Sequence, residues 1–212
     1  SISGLLMQNI FQNPLAGPGV LGITSGANLG VALVFLFFGA QSNIGFLTIS
    51  AAILGSLTVL FLIILVSLRV KNNVIVLISG LMLSYVCGAG VNIILNYSSK
   101  DQIQQFVNWG FGNFSAVHPD SIWNLLGIIF ALTLFIYVFS KNWNALMLGE
   151  TMASSLGLNV FNTRLLGIIF TGIITGIVTA YCGPIAFIGI AVPHISRMLV
   201  KPMNHFISIP VN

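Results

Sequence analysis

Few side chains in this sequence of 212 residues could transfer a proton, attack a substrate or bind a metal. The candidates are three acidic residues and three histidines: Asp101, Asp120, Glu150, His118, His194 and His205. They form none of the Gly-x-Ser-x-Gly, His-Glu-x-x-His or P-loop patterns that mark a nucleophile, a zinc protease or a nucleotide site. The sequence therefore predicts no catalytic set, no metal site and no cofactor. Any ATP used with this protein must be bound by another chain.

One polar stretch, 140–163, could bind a partner protein. It contains Glu150 and Ala153, and we predict a short helix from Gly149 to Leu156 that Gly157 ends. A short helix on a protein surface can lie in a groove of a partner. The alternative is an amphipathic helix at the membrane interface without a partner.

A second stretch, 181–200, is apolar but interrupted. Gly183 and Pro184 end one helix, and Pro193 permits a new helix to start just before His194 and Arg197. Irregular backbone at membrane depth occurs only where it is buried in protein or lines a cavity, and transporters use such breaks. Prolines and glycines at 13–19 make a similar break. The pair hints at an inverted repeat with a pathway between the halves, and the alternative is ordinary tolerance of these residues in membrane helices.

The composition places these stretches in a membrane protein. The chain is 57% hydrophobic and 5% charged, with a mean hydropathy of +1.04, whereas soluble domains are roughly 25% charged. Apolar runs at 21–38, 46–68, 74–95, 121–139 and 164–182 approach or exceed the roughly 20 residues that a membrane helix needs. Cys87 and Cys182 lie inside apolar runs, as packing residues do. We predict an all-α, polytopic transmembrane helical bundle with broken helices, and no binding of nucleic acid.

The basic residues predict the orientation of the bundle. If the loops alternate sides, one side carries six basic residues, namely Arg69, Lys71, Lys141, Arg164, Arg197 and Lys201. The other side carries only Lys100. The positive-inside rule then places the 69–73 turn and the 140–163 loop in the cytoplasm. The polar and aromatic segment 96–120 faces outward, with a short interfacial helix at 102–109. Because Ser1 already lies in a helical pattern, we expect a piece of a longer polypeptide.

Three motifs now resemble a known family. The first runs from Met7-Gln8-Asn9 through Asn13-Pro14-Leu15-Ala16 and Pro18-Gly19 to Leu21-Gly22, the second has Gly149-Glu150, Ala153 and Leu156-Gly157, and the third has Gly183-Pro184, Phe187-Ile188-Gly189 and Val192-Pro193-His194. Together they resemble the FecCD-type membrane permeases of ABC importers for iron-siderophores, haem and cobalamin. Their order and spacing match that family over essentially the whole sequence.

The resemblance implies the type II permease fold of ABC importers, with ten helices in the full subunit. It implies a single transmembrane permease domain over 1–212, which would lack the first helix, half of the second and the last two. It also implies a homodimer in a lipid membrane, the inner or cytoplasmic one. Cytoplasmic ABC ATPase subunits would dock below it, and an extracytoplasmic substrate-binding protein would dock outside.

The resemblance also implies roles for individual residues. A cytoplasmic loop, 141–163, would receive the movement of the ATPase through Gly149, Glu150, Ala153, Leu156, Gly157 and Leu158. Thr151 and Met152 stand where the general importer motif prefers alanine. A cytoplasmic gate would fall at Asn72, Asn73 and Val74, beside a pathway along 74–95, and an outward gate would fall within 96–112.

We therefore expect the permease subunit of an ATP-driven importer, which moves an iron chelate (siderophore or haem) or cobalamin. The alternative is an ion-coupled secondary transporter, which would need a carboxylate inside the membrane. All three acidic residues are predicted in loops, which disfavours that alternative. A membrane-embedded enzyme is disfavoured because no nucleophile and base are paired in the sequence.

Overall fold

The computed structural model of the chain describes residues 1–14, 16–38, 44–70, 72–114, 117, 119–185, 187–200 and 205–212. The regular elements in these ranges are all helical, as predicted. The α-helices are α1 (Ile2–Ile10), α2 (Ile23–Phe38), α3 (Ile44–Arg69), α4 (Asn73–Tyr97), α5 (Lys100–Gly110), α6 (Pro119–Val138), α7 (Ser140–Met147), α8 (Glu150–Ser155), α9 (Val160–Cys182), α10 (Ile188–Val200) and α11 (His205–Val211). A 3₁₀ turn, Pro18–Leu21, precedes α2.

Four of the described helices are long and apolar enough to cross a membrane: Gly45–Arg69, Asn73–Tyr97, Ser121–Val138 and Val160–Cys182. The predicted span at 21–38 is shorter than expected, because α2 has only 16 residues. Gly22, with a φ of 77°, ends the 3₁₀ turn and delays the start of α2.

Small residues bring α2 and α3 into backbone contact. A Cβ atom added to Gly26 would lie 2.5 Å from the carbonyl oxygen of Gly55, and one added to Gly30 would lie 2.3 Å from that of Ala51. Membrane helices associate through such small surfaces, since lipid provides no hydrophobic drive between them. On its other side α3 packs against α9, where Gly176 faces Ser56. The main core lies between α1, α3 and α9.

The break after α9 differs from the sequence prediction. Helix α9 ends at Cys182, and Gly183 has a φ of 75°, as the Gly-Pro pair indicated. However, α10 begins at Ile188 and contains Pro193 in its interior, so the prediction of a fresh start at Pro193 was wrong. Proline removes the hydrogen bond to the carbonyl of Gly189, four residues earlier, and its ring crowds that carbonyl. That carbonyl faces α1, because a Cβ on Gly4 would lie 1.6 Å from its oxygen.

The two breaks lie against each other. A Cβ on Gly17 would lie 2.9 Å from Ile190, and one on Gly189 would lie 2.9 Å from Pro18. A mainly apolar cavity of about 500 Å³ adjoins both breaks and α9. The inverted repeat itself stays a prediction.

Helix α5 confirms the predicted short helix in the polar segment. It begins after a capping box in which Ser99 and Gln102 each bond the other's backbone N–H. Gln102 Nε2 also donates to the carbonyl of Leu36, 3.2 Å away, and the N–H of Asn113 donates to the carbonyl of Cys182 at 2.7 Å. The ends of α2, α5 and α9 therefore meet at one end of the bundle, which we call the α5 end.

The opposite end, which we call the basic end, collects residues predicted to face the cytoplasm. Arg69 ends α3, Arg164 lies in the second turn of α9, and Arg197 lies near the end of α10. Lys141 lies in α7, next to the end of α6. Lys71 and Lys201 lie outside the described residues, and Lys100 starts α5 at the other end. This distribution agrees with the predicted alternation of sides.

Candidate functional site

The predicted coupling residues begin with a turn between two helices. The sequence predicts a loop at 140–148, but these residues include helix α7. The N–H of Gly149 donates to the carbonyl of Leu146 at 3.1 Å, and α8 starts at Glu150 directly afterwards. Gly149 has a φ of 94° and a ψ of 157°, a conformation that essentially only glycine adopts without strain. The glycine therefore sets the angle between α7 and α8.

Helix α7 is fixed on α1 by side chains. Asn9 Nδ2 donates to the carbonyl of Trp143 at 2.8 Å, and Gln12 Nε2 donates to the carbonyl of Leu146 at 3.2 Å. Trp143 is fully buried, and its Nε1 donates to the carbonyl of Ile136 at 3.0 Å. The signal that could have revealed α7 is the spacing of Trp143 and Leu146, both buried and three positions apart.

Helix α8 is a six-residue helix that glycine ends as predicted. The N–H of Gly157 donates to the carbonyl of Ser154 at 3.0 Å, and the N–H of Leu158 donates to that of Ala153 at 3.1 Å. These two bonds, with a φ of 82° at Gly157, form a Schellman motif. Ala153 is fully buried beneath the helix, whereas Leu156 is 65% exposed. The helix thus has one anchored face and one open face.

The three predicted gate residues do three different things. Asn72 caps α4, since its Oδ1 accepts from the N–H of Val74 at 2.9 Å. Asn73 Nδ2 donates to Glu150 Oε1 at 2.7 Å and to the carbonyl of Ile10 at 3.3 Å. Val74 is exposed. The structure therefore brings Asn73 to the predicted coupling helix.

Glu150 is the centre of a small polar group that we call the Glu150 cluster, made of Asn73, Glu150 and Arg164. Glu150 Oε1 accepts from Asn73 and from Arg164 Nη2, with which it forms an ion pair. The Arg164 side chain is 5% exposed and that of Glu150 is 46% exposed. Hydrogen bonds between ionised groups are stronger than neutral ones, so this pair holds the start of α8 on α9. From the sequence, Arg164 is only one of the basic residues that indicate orientation, and its pairing with Glu150 is not predicted.

All three acidic residues lie in the first turn of a helix. Asp101 is the second residue of α5, Asp120 the second of α6, and Glu150 the first of α8. Carboxylates are stabilised there by the positive end of the helix dipole. Each of the three residues lies outside the four candidate spans of the described chain.

A second polar group at the basic end, which we call the Arg197 cluster, is made of Gln8, Asn144, Arg197 and His205. Arg197 Nη2 donates to Gln8 Oε1 at 2.5 Å and ties α10 to α1. Asn144 Oδ1 accepts from the N–H of His205 at 2.7 Å and lies 3.0 Å from its Nδ1. Burial lowers the pKa of His205 to about 4, so its ring is neutral near pH 7. A cavity of about 210 Å³ borders Gln8, Arg197 and His205.

The remaining candidates contribute less. His194 is exposed on α10, and His118 lies outside the described residues. Cys87 and Cys182 are free and buried. Across the part of the chain that the structure describes, no group of three His, Cys, Asp or Glu side chains could hold a metal ion.

Comparison with known proteins identifies the family. A model of the FecCD transport family matches residues 1–212. The vitamin B12 import system permease BtuC of Photorhabdus laumondii is 34% identical over 199 residues, which are 93% of this chain and 59% of the relative. BtuC of Citrobacter koseri is 34% identical over 201 residues, 93% of this chain and 60% of the relative. The chain thus spans about three fifths of the length of these curated relatives.

A solved structure agrees with this match. It is described as an inward-facing conformation of an ABC transporter assigned to the metal-chelate type. It superposes with a TM-score of 0.90 at 29% identity, over 100% of this chain and 67% of that chain. From the arrangement of broken helices, the four long apolar helices and these matches, we conclude that the chain is a multi-pass membrane protein that belongs to the FecCD transport family.

Proposed function

We propose that this chain is part of the permease subunit of an ATP-driven ABC importer in the inner or cytoplasmic membrane. The observation that carries the proposal is helix α8, a surface helix anchored at the basic end of the bundle. Ala153 and Glu150 hold it to the bundle, while apolar side chains project away from it. Family membership supports the same function, since relatives are named as import permeases.

The ATPase subunits would dock on the open face around α8. Leu148 is 61% exposed, Met152 is 58% exposed and Leu156 is also exposed. Exposed apolar groups next to a helix that begins at a predicted cytoplasmic turn fit a groove-type interface. The chain carries no nucleotide-binding motif, so ATP hydrolysis belongs to the separate subunits. We assign no catalytic role to this chain.

A second copy of the permease would cover part of the long helices. Only 17% of the apolar window of α4 and 11% of that of α6 are buried. Lipid can cover such faces, and so can a second subunit. A homodimer would place the two α4 helices at its centre and form a pathway between them. The extracytoplasmic binding protein would dock at the α5 end, where Phe111 and Phe114 are exposed.

The cargo class is a bulky metal chelate, either an iron chelate or cobalamin. The relatives are named for vitamin B12 and the solved structure for metal chelates. The large exposed side chains of α4 are apolar or aromatic, among them Ile78, Met82 and Tyr85. An uncharged, wide pathway suits a large cargo whose selection is made by an external protein. The ion-coupled alternative receives no support, because the three acidic residues lie outside the candidate spans of the described chain.

The test is assembly and uptake by the full importer in proteoliposomes. We expect the ATPase subunit to co-purify with the permease and uptake of a ferric siderophore or cobalamin to require ATP. Leu156→Arg should abolish co-purification, since it places a charge in the apolar interface. The matched control is Phe114→Arg at the α5 end, which should retain the ATPase. Uptake without ATP, and no bound ATPase in the unaltered protein, would contradict the proposal.

A further inference from the structure

The contacts of Glu150 join the proposed coupling helix directly to the proposed gate. We infer that Glu150 and Asn73 form the link through which movement of α8 is passed to the start of α4. This inference rests on the proposed function, because it assigns a specific transmission to the same helix. It makes Glu150 and Asn73 positioning residues, which act on the pathway without touching cargo.

The packing of α8 makes a side-chain link necessary. Within the described residues, α8 packs mainly against α7 and α9. Helix α4 reaches α8 through the 2.7 Å bond from Asn73 Nδ2 to Glu150 Oε1. Helix α7 is fixed on α1, and neither α7 nor α9 is among the main packing partners of α4 in the described residues.

Glycines flank α8 and allow it to move as a unit. Gly149 and Gly157 both have positive φ, and a Cβ at either position would meet nothing within 4 Å. The two turns are therefore spacious as well as glycine-dependent. Movement of the helix would change the backbone angles at Gly149, whereas the Schellman motif keeps those at Gly157.

The two hydrogen bonds of Asn73 differ in strength, and we expect the start of α4 to move with the partner that is bonded more strongly. One amide hydrogen reaches the neutral carbonyl of Ile10 at 3.3 Å, near the limit for a hydrogen bond. The other reaches a carboxylate at 2.7 Å. Bonds to ionised acceptors are shorter and roughly twice as strong as neutral ones. When α8 moves, Asn73 should leave Ile10 before it leaves Glu150.

Arg164 keeps the carboxylate in place during this movement. Its side chain is buried, and its ion pair with Glu150 restrains the oxygen that Asn73 also binds. Arg164 thereby anchors the link on the start of α9, although α9 itself also packs against α1 and α3 in the main core.

The decisive experiment measures cargo transported per ATP hydrolysed by the reconstituted importer. Asn73→Ala should keep ATPase binding and ATP hydrolysis but lower this ratio by about tenfold, the size expected for loss of one bond to a charged group. Asn73→Asp has the same shape and cannot donate to Glu150 at neutral pH, so it should lower the ratio at least as much. This isosteric variant serves if the alanine variant fails to fold.

A matched control and a double variant separate the link from general damage. Ser155→Ala removes a hydroxyl of α8 that bonds only within the helix, to the carbonyl of Thr151 at 2.9 Å, and should keep the ratio. Asn73→Ala combined with Glu150→Ala should be no worse than Glu150→Ala alone, since alanine at position 150 already removes the acceptor that Asn73 uses.

Each result has a distinct meaning. If the unaltered importer works and Asn73→Ala and Asn73→Asp keep the normal ratio, the link is refuted and the permease function stands. Independent, multiplying effects in the double variant would also refute it. If the unaltered protein binds no ATPase and moves cargo without ATP, the proposed function itself fails.

Discussion

Two of the three arginines at the basic end of this bundle, Arg164 and Arg197, are held in different ways. Arg164 is buried and bonds the carboxylate of Glu150, on a six-residue helix between two glycines. Arg197 is partly buried and bonds the neutral amide of Gln8, on a helix packed against α1. We infer that the first contact transmits movement, whereas the second only ties α10 to α1. The comparison distinguishes an arginine with a proposed coupling role from one with a structural role, although in the sequence both are simply positive charges.

The largest expected effect is a loss of folding stability at low pH, caused by His205 in the Arg197 cluster. The folded pKa of His205, about 4, lies below its ordinary value of 6.5. The unfolded state therefore binds more protons between these values, and stability falls as pH is lowered through this window, by up to ~3 kcal/mol. Thermal unfolding of the solubilised protein against pH should show this loss. His205→Asn should flatten the slope and His194→Gln should not, and a slope unchanged in His205→Asn would contradict the assignment.

Glu150→Ala should destabilise the protein more than Gln8→Ala. The first change leaves a buried guanidinium without its carboxylate, a cost of about 2 kcal/mol after allowing for the exposure of Glu150. The second removes a neutral acceptor from a partly buried cation, a cost of about 1 kcal/mol. Denaturant unfolding in mixed micelles measures both. Equal losses, or a larger loss for Gln8→Ala, would remove the distinction between the two clusters.

Gly149→Ala should cost about 1–2 kcal/mol, because alanine is strained at this backbone conformation even though space is available. The matched control is Gly127→Ala inside α6, where the added methyl also meets nothing and the backbone is helical, so that variant should be neutral or slightly more stable. The same unfolding assay compares them. A neutral Gly149→Ala would show that the turn before α8 does not need glycine.

Pro193→Ala should have the smallest functional effect of these changes and should leave cargo preference unchanged. It returns an N–H to α10 opposite the carbonyl of Gly189, which also faces Gly4 of α1. We expect changed folding yield or stability and an unchanged cargo profile in competition uptake with a ferric siderophore and cobalamin. Normal protein levels with altered cargo preference would show that the broken stretch takes part in cargo selection and is not only structural.

Local signals explain what could be predicted from the sequence. The long spans follow from apolar runs, α5 from Ser99 and Gln102, and the end of α8 from Gly157. Each of these depends on residues close together in the chain.

Long-range contacts explain what could not be predicted. Helix α7 is held by Asn9 and Gln12, each 134 positions from its partner, and Asn73 lies 77 positions from Glu150. The prediction of a helix start at Pro193 was wrong because a proline inside a helix and one at its start leave the same local pattern. The opposite charges of Glu150 and Arg164, 14 positions apart, were the only hint of the Glu150 cluster in the sequence.

The most direct test of the proposed coupling compares Glu150→Ala with Gln8→Ala in the reconstituted importer. Both remove a partner of an arginine at the same end of the bundle. We predict that Glu150→Ala loses most ATP-driven uptake, whereas Gln8→Ala retains it in proportion to the folded protein. If Glu150→Ala leaves ATP-driven uptake intact, or if no ATPase subunit co-purifies with the unaltered protein, the coupling role of α8 is contradicted.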